Sequence, residues 1–291
     1  MNFIVSPATA AVEVAFSPYR QLEMRFDQRD EILWSYMKPQ DRPSFTLDLL
    51  GEIADMQETI RRLSLAARPF RYFVFGSRTP GIYNLGGDLP YFTECIRAGD
   101  AERLREYGYA CVGSTYENSI AYGSPLITIG LVQGDALGGG FECALSFDVI
   151  IAERSARFGL PEILFNMIPG MGAYSHLSRR LGMHKAEEMI TSGRIFTADD
   201  LHRMGIVDVV CPDQEGEVAV QQYVMKHSRR HAAELALYHA RRRVNGVPLK
   251  ELRDVVDIWV QAALCLDQTN LRTMTRLASA QKMRMNHSTQ S

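Results

Sequence analysis

The stretch Val132-Gln-Gly-Asp-Ala-Leu-Gly-Gly-Gly-Phe-Glu142 constrains this chain more than any other. Before it, Leu126 to Val132 is an apolar run with β-branched residues and a proline at its start, which predicts a buried strand. After it, residues from about Phe141 to Phe147 predict a helix. Three glycines join the two. Glycine lets a backbone turn tightly and lets another group approach it closely. The N–H groups at a helix N-terminus point outward and favour negative charge. Strand, glycine turn and helix in this order predict an α/β layer with an anion, or a developing oxyanion, held at the turn.

The flanking residues narrow the choice. A phosphate-binding P-loop requires Gly-Lys-Ser/Thr after its glycines, and Phe141 and Glu142 stand there instead. The dinucleotide spacing GxGxxG fails because Cys143 occupies the last glycine position. A carboxylate at Glu142 repels a phosphate. It does not repel a neutral carbonyl that becomes negative only during reaction, so an oxyanion hole fits better. The alternative is that these glycines only pack a helix against a sheet.

The rest of the chain supports an α/β core. Tyr19 to Phe26 and Ile32 to Met37 read as a hairpin around the polar turn 27–30. Phe45 to Arg68 has helical spacing, Arg71 to Phe75 reads as a strand, and Gly76 to Asp88 reads as a loop. Helices are expected at Leu89 to Ala98 and from Asp100 to about Tyr122. Val149 to Ala152 and Arg157 to Gly159 read as further strands. Strands alternating with helices imply parallel pairing. From about Glu215 the pattern turns wholly helical, with Glu217 to Arg243 and Leu249 to Met283 as long helices. The expected organisation is an N-terminal extension (1–18), an α/β core (19–212), a helical C-terminal module (213–285) and a disordered tail (286–291).

Composition excludes several classes. A net charge of −2 gives no global pull towards nucleic acid. The five cysteines are odd in number, scattered and without a CxxC, which argues against a disulfide framework or a zinc knuckle. No basic segment precedes the apolar N-terminus, and no apolar run reaches the ~18 residues of a membrane span. A cytoplasmic protein without a metal or membrane insertion is expected.

Two further stretches carry chemistry. In Phe158-Gly-Leu-Pro-Glu162 a carboxyl group stands among apolar residues, where desolvation raises its pKa towards neutrality and suits proton transfer. Taken alone, Glu162 is also an ordinary helix start after a proline. In Tyr83-Asn-Leu-Gly-Gly-Asp-Leu89, paired glycines precede an aspartate able to cap a helix, a second source of backbone N–H donors or a plain turn.

Together these stretches resemble the crotonase (enoyl-CoA hydratase/isomerase) superfamily. In order they are a strand, the Gly-Asp loop, strand–GGG–helix, FGLPE, the segment Pro169-Gly-Met-Gly172, and Phe196-Thr-Ala-Asp-Asp-Leu-His-Arg-Met-Gly-Ile-Val-Asp208. The resemblance runs from roughly Tyr19 to Gln281. It implies a crotonase-like spiral of ββα units with a helical C-terminal module, assembled as a homotrimer or dimer of trimers. It implies backbone N–H donors at Leu85 and Gly139, with Gly86, Gly87 and Gly138 beside the substrate. It puts the two hydratase glutamates at Glu142 and Glu162, which favours chemistry that moves water across an α,β bond. It implies no cofactor, with the substrate carried as a phosphopantetheine thioester on acyl carrier protein or CoA.

Leu85-Gly86-Gly87, the segment Phe165 to Ser175 and the N-terminal extension depart from the common hydratase pattern. They look like the diffusible signal factor synthases of bacterial quorum sensing. That branch implies dehydration and thioester hydrolysis in one site, yielding a free cis-2-unsaturated fatty acid. It also implies a receiver domain of a sensor histidine kinase as a partner. Met171, Trp259 and Leu277 fall where it would put acyl-pocket walls, and core or interface packing explains them equally well. An ordinary enoyl-CoA hydratase, or a non-catalytic thioester- or sensor-binding protein, remains the alternative.

Three other constellations carry less. His227 and His231 have i, i+4 metal-ligand spacing but no acidic third ligand. Cys143 has no histidine partner in view. The basic residues from Lys226 to Arg243 fit an acidic carrier protein, and a solvated helix face explains them more simply.

Overall fold

The computed structural model describes residues 12, 15, 16, 18–66 and 69–288. Most of the expected N-terminal extension lies outside the described residues. Six strands make one sheet: β1 (Leu22–Asp27), β2 (Ile32–Met37), β3 (Tyr72–Ser77), β5 (Ile127–Val132), β7 (Val149–Glu153) and β10 (Val209–Cys211), in the order β1-β2-β3-β5-β7-β10. β1 and β2 form an antiparallel hairpin in which Leu22 faces Met37 and Asp27 faces Ile32. The other neighbours are parallel.

Strands β2, β3 and β5 are buried throughout, so their pleat divides two cores. Ile32, Trp34, Tyr36, Tyr72, Val74, Ile127 and Ile129 face one side, where α8 (Gly216–His227) packs through Val220 and Val224. Leu33, Met37, Phe73 and Phe75 face the other, larger core with α1 (Leu47–Ala66) and α3 (Ala101–Ser119).

A second sheet holds β4 (Gly81–Asn84), β6 (Gly134–Leu137), β8 (Arg157–Gly159) and β9 (Ile195–Thr197) in that order. The first three are parallel, and β9 pairs antiparallel with β8. The chain leaves the large sheet after β3, β5 and β7, enters the small one as β4, β6 and β8, and then turns helical. These exits lead to α2 (Leu89–Ala98), to α4 (Gly139–Leu145), and to a 3₁₀ turn, Pro161–Phe165, ahead of α5 (Ala173–Leu181). This is a spiral of ββα units.

The sequence reading of Gly76 to Asp88 as loop misses β4, and β6 is missed likewise. Each is four residues long and is held by pairing with its neighbour rather than by its own apolar pattern. The remaining core elements are α6 (Met183–Ser192) and α7 (Ala198–Arg203). The expected helix from Asp100 to Tyr122 ends at Ser119, because Ala121 and Tyr122 take positive φ of 48° and 59°.

Past β10 the chain is helical. The expected helix Glu217 to Arg243 is α8 and α9 (His231–Asn245), broken by a 3₁₀ turn at Ser228–Arg230. Leu249 to Met283 divides into α10 (Leu249–Leu264) and α11 (Gln268–Ser288), which carries residues 286–288 of the expected tail into a helix. α10 packs on α3 and α11 on α2, and Trp259, Val260 and Met274 join the larger core. Among the described residues, no helix is long and apolar enough to cross a membrane.

The second sheet depends on close backbone approach. A Cβ at Gly134 would stand 2.0 Å from the carbonyl carbon of Gly81. Neither strand can retreat without losing the β4–β6 ladder. Gly134→Ala is therefore expected to lower the free energy of unfolding by about 3 kcal/mol in urea titrations, at the upper end for overpacking. Gly51→Ala, on an exposed turn of α1 with nothing within 4 Å, should instead stabilise by roughly 0.5–1 kcal/mol.

Candidate active site

The C-terminal ends of the parallel strands β4, β6 and β8 lie side by side, and each delivers one segment to a common place. In α/β folds the carboxyl ends of parallel strands are where ligands bind. After β4 come Leu85 to Asp88. Asn84 accepts the N–H of Gly86 on its side-chain oxygen at 2.8 Å, closing a local turn in which Gly86 takes φ of +93°. Asp88 caps α2 by accepting from Tyr91 N–H at 3.2 Å.

After β6, Gly138 takes φ of +52° and donates its N–H to Gly159 at 2.8 Å. Gly139 is the first residue of α4, so its N–H has no partner within the helix. The two loops touch: a Cβ at Gly140 would stand 2.0 Å from the carbonyl oxygen of Asn84, and one at Gly86 would stand 3.0 Å from the nitrogen of Gly139.

Both glutamates enter this place. Glu142, on α4, is 1% exposed. Its Oε1 accepts the N–H of Met171 at 2.7 Å and of Ala173 at 2.9 Å. Burial pushes its carboxyl up to about 7, against the lowering effect of backbone N–H groups of the 171–173 segment. Glu162, in the 3₁₀ turn after β8, has Oε1 close enough to Gly138 that a Cβ there would stand 2.5 Å away. Its Oε2 is buried without a hydrogen-bond partner among the described residues. Burial, and then the charge of Glu142, push it up to about 8. The hydrogen-bonded carboxylate stays ionised more readily, and its neighbour keeps a proton near neutrality.

One apolar cavity of about 290 Å³ contains the site. Leu85, Gly87, Gly138, Gly139, Glu142 and Glu162 line it, together with the apolar side chains of Met171, Trp259 and Leu277. Its volume is at the small end of ~300–1,000 Å³ ligand sites, enough for an acyl chain rather than a whole thioester carrier. Met171 lies over Gly139, where a Cβ would meet its Sδ at 2.4 Å. Trp259 meets Phe92 edge to face at 5.1 Å and lies against Gly170.

One expected donor differs from the sequence reading. The N–H of Leu85 donates to the carbonyl of Pro43 at 2.7 Å, because the segment 43–45 runs alongside this loop as a short parallel bridge. That N–H is not available to a substrate.

Sequence reasoning missed four contributors. They are Asn84, Pro43, Thr115, which donates to Met171 C=O at 3.1 Å, and Gln281, whose Nε2 donates to Leu85 C=O at 2.9 Å. Asn84, two residues ahead of Gly86, is a readable turn signal; the others come from distant helices and loops and leave none. His227 bonds Glu234 and stacks on Tyr223, whereas His231 packs against Tyr72, so the two do not converge. Cys143 is buried against Tyr83, and burial pushes its thiol up to about 12, the opposite of a nucleophile.

The raised carboxyl of Glu162 bears on stability. In the unfolded chain it ionises near ~4.3, whereas the folded protein holds the proton to about 8. Between those values the folded state binds more protons, so its stability falls as pH rises. Glu162→Gln removes that loss. Its melting temperature relative to the natural protein should climb from about pH 5 to about pH 9. Parallel profiles in a thermal melt series would refute the burial argument.

Comparison with known proteins agrees with this fold. Residues 68–248 match the family model described as enoyl-CoA hydratase/isomerase. The chain is 46% identical over 93 residues to a probable enoyl-CoA hydratase of Rhizobium meliloti, covering 32% of this chain and 36% of that protein. It is 33% identical over 188 residues to human enoyl-CoA hydratase domain-containing protein 2, mitochondrial, covering 62% of this chain and 60% of that protein. The chain spans about a third of the length of the first curated relatives it matches. A solved enoyl-CoA hydratase from Bacillus halodurans shares the fold with a TM-score of 0.72 at 21% identity, covering 88% of this chain and 99% of that one. The family match spans well over half the sequence, and the chain belongs to the enoyl-CoA hydratase/isomerase family.

Proposed function

We propose that this protein moves water across the α,β bond of an acyl thioester. The observation that carries the reading is two carboxyl groups in one apolar cavity, Glu142 buried and Glu162 half-buried with Oε2 enclosed, beside the N–H of Gly139, which has no partner within its helix. In the hydration direction a donor N–H polarises the thioester carbonyl. Ionised Glu142 takes a proton from a water whose oxygen bonds to Cβ. Protonated Glu162 gives its proton to Cα. Dehydration reverses these steps, and atoms balance as enoyl thioester plus water against 3-hydroxyacyl thioester. The names of the curated relatives support this chemistry.

A second reading extends it to release of a free unsaturated acid. The contact of Glu162 Oε1 with Gly138, one residue before the donor at Gly139, favours it. Water activated there stands beside the thioester carbonyl: its oxygen bonds to that carbon, the C–S bond breaks, and the carrier leaves as a thiol. With the likeness to signal synthases, this reading takes a 3-hydroxyacyl chain on acyl carrier protein to a cis-2-unsaturated signal acid. It brings the receiver domain of a sensor kinase and a trimeric assembly with it as proposals.

Glu142→Ala or Glu162→Ala should each lower hydration or dehydration at least ~100-fold, as for a lost general acid or base. Near-natural turnover in either variant would sink the mechanism. In hydration, Glu142 cannot accept a proton below about 7 and Glu162 cannot give one above about 8. The turnover number should therefore be bell-shaped in pH, with its maximum between these values. Incubation with 3-hydroxyacyl-acyl carrier protein, read by mass spectrometry, separates the two readings: free acid supports release, and a product that stays a thioester confines the enzyme to hydration.

A further inference from the structure

Glu142 is held by the 171–173 segment, and one distant side chain sets how that segment faces it. We propose that Thr115 is a positioning residue for the reaction: its hydroxyl holds the carbonyl of Met171, aims the N–H of Gly172 at Glu142, and so keeps that glutamate in its proton-accepting form. The inference rests on the reading of Glu142 as the acceptor in hydration.

Three consecutive peptide groups lead to it. In the first, the N–H of Met171 donates to Glu142 Oε1 at 2.7 Å, and Trp259 lies against Gly170. In the third, the N–H of Ala173 donates to the same oxygen at 2.9 Å, and Gly172 C=O accepts from His176 N–H at 3.0 Å. Between them stands the peptide made of Met171 C=O and Gly172 N–H. Its carbonyl accepts from Thr115 Oγ1 at 3.1 Å, and no other donor reaches it among the described residues. In a planar trans peptide the C=O and N–H point in opposite directions. The bond to Thr115 therefore turns the Gly172 N–H the other way, towards Glu142. Burial raises the Glu142 carboxyl, and the N–H groups of Ala173, Met171 and Gly172 lower it. Gly172 takes φ of +113°, a left-handed conformation that lets the flanking N–H groups converge on one oxygen.

The surroundings leave this control to Thr115. It is fully buried in α3, one turn after Cys111, which lines the cavity. A hydroxyl taken wholly out of water needs a partner. Two carbonyls are within reach of its single proton, Met171 at 3.1 Å and Val112 at 3.2 Å. Val112 C=O lies inside the α3 ladder, whereas Met171 C=O has Thr115 alone. Other groups near Glu142 do not replace it. Cys111 on α3 and Cys143 on α4 are thiols that burial pushes up, Cys143 to about 12, so both stay neutral. His176 on α5 packs against Gly172; burial, then Arg180 and Arg179, lower it to about 3, so it is neutral too. Glu162 titrates near Glu142, and Thr115 makes no bond to it.

The test compares Thr115→Val, which keeps the branched shape and loses the hydroxyl, with Thr115→Ser, which keeps the hydroxyl. Hydration of an enoyl-CoA is followed across pH by loss of the conjugated thioester absorbance. In Thr115→Val the acid limb of the turnover number should move up by about one pH unit, the size of a weakened hydrogen bond to a charged group. Turnover at about pH 6 should then fall about tenfold, with KM within about twofold of the natural value. Thr115→Ser should restore the natural limb. A Val limb in its natural place overturns the assignment, as does a Ser limb displaced as far as the Val one.

A second measurement uses the unaltered protein and does not depend on the variants folding. With ¹³C-labelled glutamate and ¹⁵N-labelled glycine, the amide proton of Gly172 should shift with the same midpoint as the Glu142 carboxyl, whose signal Glu142→Gln identifies. A Gly172 signal that ignores that midpoint refutes the proposal. If the natural protein hydrates no enoyl thioester, the functional reading falls. If it does and the acid limb of Thr115→Val and the Gly172 signal are both indifferent, the positioning role falls alone.

Discussion

Everything in this site depends on one backbone-on-backbone contact. The turn after β4 and the turn after β6 meet where Gly140 leaves no room for even a methyl group against the carbonyl of Asn84. Parallel strands stand ~4.7–4.9 Å apart, so segments leaving their ends can meet only if side chains are absent at the crossing. That is why Gly86 and Gly140 stand here, whereas the side chains of Phe92, Glu162 and Met171 take the space at Gly87, Gly138 and Gly139. With no side chains between them, the two turns bring their peptide groups to one point.

The carboxyl groups are governed by a different balance. Burial penalises the charged form of both, and the larger shift falls on the one with fewer donors. Glu142 holds two backbone N–H groups from a segment that begins at Pro169-Gly170, whereas one oxygen of Glu162 has none. Two chemically identical side chains thereby acquire different proton occupancies near neutrality. Neither turn alone does this. The first glutamate needs the 171–173 segment, and the second needs the first as its negative neighbour.

Much of this was legible in the sequence, for physical reasons that vary by residue. Leu126 to Val132 announced a buried strand because both its faces are apolar. The glycines at 138–140 marked a close approach, although what they approach, Asn84, could not be read. Glu142 and Glu162 were legible as a pair through the resemblance; which one holds its charge depends on N–H groups thirty residues away. β4 and β6 were illegible because four residues carry no period of their own. Leu85 misled for a related reason: the motif counts residues along the loop, whereas the strand-like segment at 43–45 decides which N–H is free.

The helical region after β10 looks in sequence like an appendage, yet it acts on the chemistry. Trp259, on α10, lies against Gly170, whose added Cβ would meet the indole at 2.9 Å. Gly170 precedes Met171, whose N–H holds Glu142. Thr115 on α3 holds the carbonyl of the same Met171. On the opposite wall, Gln281 on α11 holds the carbonyl of Leu85. The C-terminal helices therefore close the apolar cavity and also brace both peptide segments on which the electrostatics rely. A cavity that is dry enough to raise two carboxyl groups needs such a cover, because water at Glu142 would solvate the charged form and bring its carboxyl back towards the ordinary value. The cover over the cavity and the proton occupancy of its glutamates thus depend on the same two helices.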